Sequence, residues 1–243
     1  MGRVVTFAEL ATEKAGDGID AAPITRGETR EMAAEFVRVD PGKSWRAAAP
    51  SGSDCYLFAI GGSGAIEAAS KRQPLPTQSF ATIEEGVAFA VENDGREPLQ
   101  IVKVTAPPQA NDRRLAGFKG GVQVAERAKT PVVPIPEQRK QRIYFVGEHG
   151  ARSERGHGMI VVYDGQTNTP LHHHPNADSM FVLLDGAVEF TVNGEPVVVK
   201  PGQAAYFPTD DTHGLHTADG YAGASFLEFH IPAAFTTVKE QAQ

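Results

Sequence analysis

Apolar residues run along this chain in short blocks and keep no helical period for more than about two turns. EFVRVD (35–40), CYLFAI (55–60), VAFAVE (87–92), LQIVKVTA (99–106), RIYFVG (142–147), GMIVVYD (158–164), MFVLLDG (180–186), AVEFTVNG (187–194), AAYFP (204–208) and SFLEFHI (225–231) are all rich in Val, Ile, Phe and Tyr. Such blocks predict strands. Between them stand DPGK, NDGRE, DGQTN and VNGEP, which are turn sequences. Helices are expected only at TFAELATEK, as one short helix capped by Thr6, and as a further turn within NDRRLAGFK.

The blocks repeat. Sliding the chain by 124 positions lays FVRVDPG on IVVYDGQ and DCYLFAIGGSG on DSMFVLLDGAV, pairing Asp40 with Asp164, Asp54 with Asp178, Cys55 with Ser179 and Gly62 with Gly186. EEGVAFAVENDG is read as a further echo of KPGQAAYFPTDD. Two β-rich modules follow, residues 28–108 and 140–233. Residues 1–27 form an N-terminal extension, 109–139 a linker rich in Pro, Gly and charge, and 234–243 a C-terminal tail.

Composition narrows the role. With 243 residues, 41% of them hydrophobic, the chain can bury a core, and a net charge of -7 argues against nucleic acid as a partner. No apolar run is long enough to span a bilayer, and the N-terminus reads as no secretory signal. The start MGRVVT fits the loose N-myristoylation pattern at Gly2, although a frayed terminus explains it as well. The single cysteine, Cys55, excludes intramolecular disulfides and cysteine-rich zinc sites, so the cytoplasm is the expected compartment.

All eight histidines lie after residue 148. Where the second module has His172 and His174, the first has Ala48 and Pro50. Imidazoles two positions apart on a strand share a face, so His172 and His174 point together and His173 points away. His213 and His216 follow in PGQAAYFPTDDTHGLH. Three imidazoles converging from neighbouring strands would make a metal site with open positions. His216 has the wrong parity, while His149 and His157 have no identifiable partner.

These residues resemble the two motifs of the cupin superfamily. The first runs His-x-His, three or four residues, Glu, six residues, Gly; here His172 and His174 fit, Ser179 stands in the place of the Glu, and Gly186 closes the motif. The second is similar through Gly202, Pro208 and His213, with Asp210 and Thr217 replacing its Gly and Asn. The phrase HHHPNADS resembles the oxalate decarboxylase and germin branch. The resemblance implies an all-β fold of two jelly-roll barrels (double-stranded β-helices) per chain, a bicupin whose first barrel has lost its ligands.

It also implies His172, His174 and His213 as ligands of one divalent ion, with the fourth family ligand lost at Ser179. Ser179 either leaves a coordination position open or is a loss-of-function replacement. Asp178 is a neighbouring carboxylate, but strand alternation turns it from Ser179's side unless a bulge intervenes. Ser179, Asp178, Phe181, Tyr206, His216 and His230 are the candidates for pocket or supporting positions, and no catalytic residue is assigned. A three-histidine Fe(II) site is similar to those of thiol and diketone-cleaving dioxygenases, so the expected activity is oxidation of a small anionic or chelating substrate. Mn, Zn or Ni in the same cage implies a lyase, isomerase or decarboxylase, and a ligand-binding barrel without catalysis is the third reading. A homodimer is expected, with neither nucleic acid nor membrane as partner.

Overall fold

The computed structural model describes residues 1–106 and 113–240, and its strands form four antiparallel sheets. One seven-stranded sheet runs Val122–Glu126, Ser79–Ile83, Asp54–Gly61, Leu99–Ala106, Ala33–Val39, Ile19–Pro23, Glu13–Gly16. A four-stranded sheet of Ser44–Ala48, Ala88–Glu92, Gly64–Ala68 and Lys71–Leu75 faces it. The second half repeats the design. Its seven strands are Arg3–Thr6, Gln203–Phe207, Asp178–Gly186, Gly223–Ile231, His157–Asp164, Lys140–Val146 and Val133–Ile135. Five strands oppose them: Glu195–Val199, Val188–Val192, His213–Thr217, Asn168–His173 and Val238–Lys239.

Three apolar cores result. Trp45, Leu57, Phe89 and Ile101 belong to the core inside the first barrel, while Phe181, Phe190, Phe207 and Phe226 belong to the one inside the second. The largest core lies between the two seven-stranded sheets, where Tyr56, Phe58, Phe80, Phe145 and Phe229 meet at ring-centroid separations of 5.0–6.4 Å. This accounts for the unbroken apolar runs: in CYLFAI, Cys55, Leu57 and Ala59 enter the barrel while Tyr56 and Phe58 enter the interface. Both faces of the central strands are dry, as in sheets covered on both sides.

Gly62 and Gly186 close equivalent strands with φ of +74° and +67°. A Cβ would lie 2.5 Å from the Pro98 carbonyl oxygen at the first and 2.2 Å from that of Gly223 at the second. Backbone approach therefore demands glycine at both.

The halves exchange strands. Arg3–Thr6 pairs with Gln203–Phe207 of the second barrel, and Val122–Glu126 pairs with Ser79–Ile83 of the first. A 3-10 turn follows each exchanged strand, at Phe7–Glu9 and Arg127–Lys129. Two equivalent buried carboxylates tie the exchange down. Asp178 accepts the backbone N–H groups of Glu31 (2.6 Å), Met32 (3.1 Å) and Thr209 (2.8 Å). Asp54 accepts Phe118 N–H (2.9 Å) and the Ser153 hydroxyl (2.6 Å), with Arg155 Nη1 at 3.4 Å.

Several expectations are corrected here. The helix at TFAELATEK is a three-residue 3-10 turn, and Thr6 makes no cap because its strand is committed to Gln203–Phe207 and Glu13–Gly16 to a hairpin with Ile19–Pro23. NDRRLAGFK begins outside the described residues, and from Arg113 onward it holds only a short turn. KPGQAAYFPTDD is not the counterpart of EEGVAFAVENDG. Cys55 pairs with Ile83 as Ser179 pairs with Phe207, so Gln203–Phe207 corresponds to Ser79–Ile83 at the original offset. By the same register Phe89 occupies the position of His213, since Val91 faces Ile66 as Leu215 faces Phe190. The segments read as extension and linker carry paired strands, and the segment read as a tail carries Val238–Lys239.

Candidate metal centre

His172 and His213 face each other across adjacent strands, and His174 follows at the end of the first of these. One ring nitrogen from each of the three lies within 4.8 Å of the others. All three are buried, with ring centroids 4.4–5.4 Å apart. Strand parity brings them together as the sequence predicts, whereas His173 turns outward to Glu240 at 2.7 Å.

The second nitrogen of each ring is occupied. Nδ1 of His172 bonds the Pro170 carbonyl (2.8 Å), that of His174 the Thr236 carbonyl (2.9 Å) and that of His213 the Asp211 carbonyl (3.0 Å). A carbonyl only accepts, so the proton sits on Nδ1 and each Nε2 keeps its lone pair. The Nε2 atoms of His174 and His213 are buried with no hydrogen-bond partner among the described residues. Burial, with mutual repulsion among the imidazoles, lowers the pKa of His172, brings His174 to about 4 and His213 to about 3. Three neutral donors aimed at one point, two of them buried and unpartnered, fit a divalent ion.

Beside the trio, Ser179 and His230 are paired across strands, with Ser179 Oγ and His230 Nδ1 3.0 Å apart. His230 Nε2 lies 2.6 Å from Glu228 Oε1. Both nitrogens of His230 are thus engaged, although its ring touches His174 at a centroid distance of 4.7 Å. Burial opposes the charge of Glu228, but the hydrogen bond and positive charge of His230 hold its carboxyl down at about 2.

A cavity of about 1140 Å³ opens from these residues. Phe181 lines it, as do Lys140, Arg142 and Tyr144 along one strand. Arg142 donates from Nη1 to the Tyr144 hydroxyl at 3.3 Å, and its buried Nε has no partner among the described residues. His157, which had no expected partner, faces His230 across the sheet and lines the cavity; burial and His230 lower its pKa to about 4. His149 packs on Tyr144 at 4.9 Å and lines the same space.

Three candidates lie elsewhere. Both carboxylate oxygens of Asp178 are spent on Glu31, Met32 and Thr209. Tyr206 faces the core between the barrels and reaches Glu28 at 3.3 Å, and His216 lies near the surface, 3.7 Å from Glu189. Glu228, Arg142 and Phe235 were missed. For Glu228 the signal existed: SFLEFHI sets an acid and an imidazole two positions apart inside an apolar strand.

Two jelly-roll barrels joined through a common core, one of them lined by a histidine trio, define a duplicated β-barrel protein with one candidate metal centre. Residues 159–229 match the family model described as a cupin domain, and the two barrels share the all-β jelly-roll fold of cupin structures. No curated protein matches its sequence. Among solved structures it is similar to the putative glyoxylate induced protein from Pseudomonas aeruginosa, with 15% identity and a TM-score of 0.75 over 100% of this chain and 90% of the other. A cupin 2 conserved barrel domain protein from Leptotrichia buccalis gives 16% and 0.68 over 94% and 96%. The oxalate decarboxylase from Lactobacillus farciminis, in a formate complex, gives 12% and 0.71 over 97% and 88%. At these identities the likeness is one of fold.

Proposed function

We propose that the chain is a metal-dependent enzyme holding one divalent ion through His172, His174 and His213, with residues 28–108 forming a barrel that has no site of its own. We assign iron(II) as the metal and oxidation of a small anionic, chelating substrate by dioxygen as the reaction. The observation that carries this reading is the set of three convergent Nε2 donors, each fixed by a backbone carbonyl at Nδ1. When bound, the ion supplies Lewis acidity toward a chelating oxyanion and, as iron, one-electron chemistry with dioxygen.

The surrounding side chains supply the rest. Arg142 and Lys140 bring positive charge to the cavity wall, and a guanidinium suits a carboxylate held by two parallel hydrogen bonds. Burial and the charge of Arg142 lower the pKa of Lys140. Phe181 and Phe235 give the pocket its apolar wall. His230, held by Glu228, is placed to exchange a proton with the Ser179 hydroxyl. That chain favours a second reading, a manganese, zinc or nickel lyase, isomerase or decarboxylase, because it moves protons without an oxidant. The one cysteine, Cys55, is fully buried, in keeping with the reducing cytoplasm assumed in both readings, where the enzyme would work as a homodimer.

Metal analysis of protein purified without a nickel column tests the proposal. Near-stoichiometric iron, absent from His213→Ala, with oxygen uptake on adding a chelating acid, diketone or thiol, is the expected result. Another metal lost in the same variant moves the assignment to the second reading. No metal in either sample leaves a ligand-binding barrel.

A further inference from the structure

The three carbonyls that orient the histidines differ in origin. Pro170 and Asp211 stand two residues before the imidazoles they hold, so His172 and His213 are fixed by their own local backbone. His174 depends on Thr236, which is 62 residues away in sequence. Thr236 belongs to a strap, residues 233–240, that leaves the last long strand of the second barrel and crosses the site.

The strap is fastened on both sides. Val238–Lys239 adds an antiparallel strand to His172–His173, and Glu240 N–H donates to the Leu171 carbonyl at 3.0 Å. This covers an otherwise unpaired strand edge. Asn176, exposed and two residues past His174, grips the strap from below: its Nδ2 donates to the Ala234 carbonyl at 2.9 Å and its Oδ1 accepts Thr236 N–H at 2.8 Å. Between these clamps Phe235 stacks on His230 at 3.9 Å and meets the ring of His174 edge-on at 5.1 Å.

We propose that the strap 233–240 is a working part of the metal centre, with Asn176 as a positioning residue: it holds the Thr236 carbonyl that fixes the donor atom of His174, and it lays Phe235 as a wall over His230. This rests on the reading of the trio as a metal site. Without the strap, His174 Nδ1 loses both the Thr236 carbonyl and the Thr237 hydroxyl 3.4 Å away, leaving the ring less firmly fixed, and supporting contacts of this kind are worth about 10- to 100-fold in metal affinity. The other two ligands keep their own carbonyls, so the loss is graded and not complete.

Zinc affinity, measured by competition with a chromophoric chelator, separates the strap from the site. The full chain is compared with His213→Ala, Asn176→Ala, Asn176→Asp and a chain ending at Pro232, each checked for its metal-free unfolding midpoint. His213→Ala is expected to lose tight binding. Asn176→Ala and the shortened chain should bind zinc about 10- to 100-fold more weakly. Asn176→Asp, which keeps the acceptor for Thr236 N–H, should recover much of that loss. If His213→Ala binds zinc as tightly as the full chain, the metal reading itself falls. If His213→Ala loses zinc while Asn176→Ala and the shortened chain bind as the full chain does, the strap has no part in the centre and the proposal is overturned. Should the shortened chain not fold, the two Asn176 variants decide.

Discussion

At the scale of single residues, the imidazoles of the second barrel are poised as bases. In metal-free protein the folded state resists protonation of His174 until about pH 4 and of His213 until about pH 3, whereas the unfolded chain takes up those protons near 6.5. The unfolded state therefore binds more protons throughout that window, and stability falls as pH is lowered from about 6.5 toward 4. Denaturant midpoints of metal-free protein should decline over that range, with a flatter decline in His213→Ala; equal slopes would contradict the burial of a neutral imidazole. The trio was legible because strand parity and spacing suffice to group His172, His174 and His213. Alternation also turned Asp178 away from Ser179, as observed, but Tyr206 was not legible, because both faces of its strand are buried. Alternation separates one face from the other, but it does not say which enters the barrel and which enters the interface.

At the scale of elements, the strands were readable from their apolar blocks, whereas their partners were not. TFAELATEK looked like a short helix capped by Thr6 because nothing local reveals that Arg3–Thr6 meets an unpaired edge nearly two hundred residues further on, at Gln203–Phe207. Once there, the arm is anchored by Phe7, which is buried against Phe36 at 5.1 Å with near-parallel rings, and by Phe7 N–H on the Gly202 carbonyl at 2.9 Å. Phe7→Ala removes a full aromatic ring from the core between the barrels, and truncations of that kind cost about 3–5 kcal/mol. Urea unfolding should register a loss of this size; a loss under about 1 kcal/mol would mean the arm packs only loosely.

At the scale of the whole molecule, each half is completed by the other. The aromatic core lies between the barrels, and two equivalent carboxylates reach across that boundary, Asp178 to the backbone of Glu31 and Met32 and Asp54 to the Ser153 hydroxyl. Calorimetry of the metal-free chain should therefore show one cooperative transition, with calorimetric and van't Hoff enthalpies in agreement; two resolved transitions would show the barrels to be independent. The internal repeat made the duplication visible, but not the exchange, since an offset records likeness and is silent on which copy a strand joins.

That exchange carries a further consequence. Two identical half-length polypeptides trading arms in the same manner would form a symmetric pair, in which any substitution appears twice, so neither subunit could give up its imidazoles alone. Joining the halves into one polypeptide removes that constraint. Alanine, proline and phenylalanine were then free to occupy positions 48, 50 and 89 while histidines stayed at 172, 174 and 213. Covalent continuity thereby lets the two lobes diverge, one with an apolar interior throughout and the other with the histidine trio.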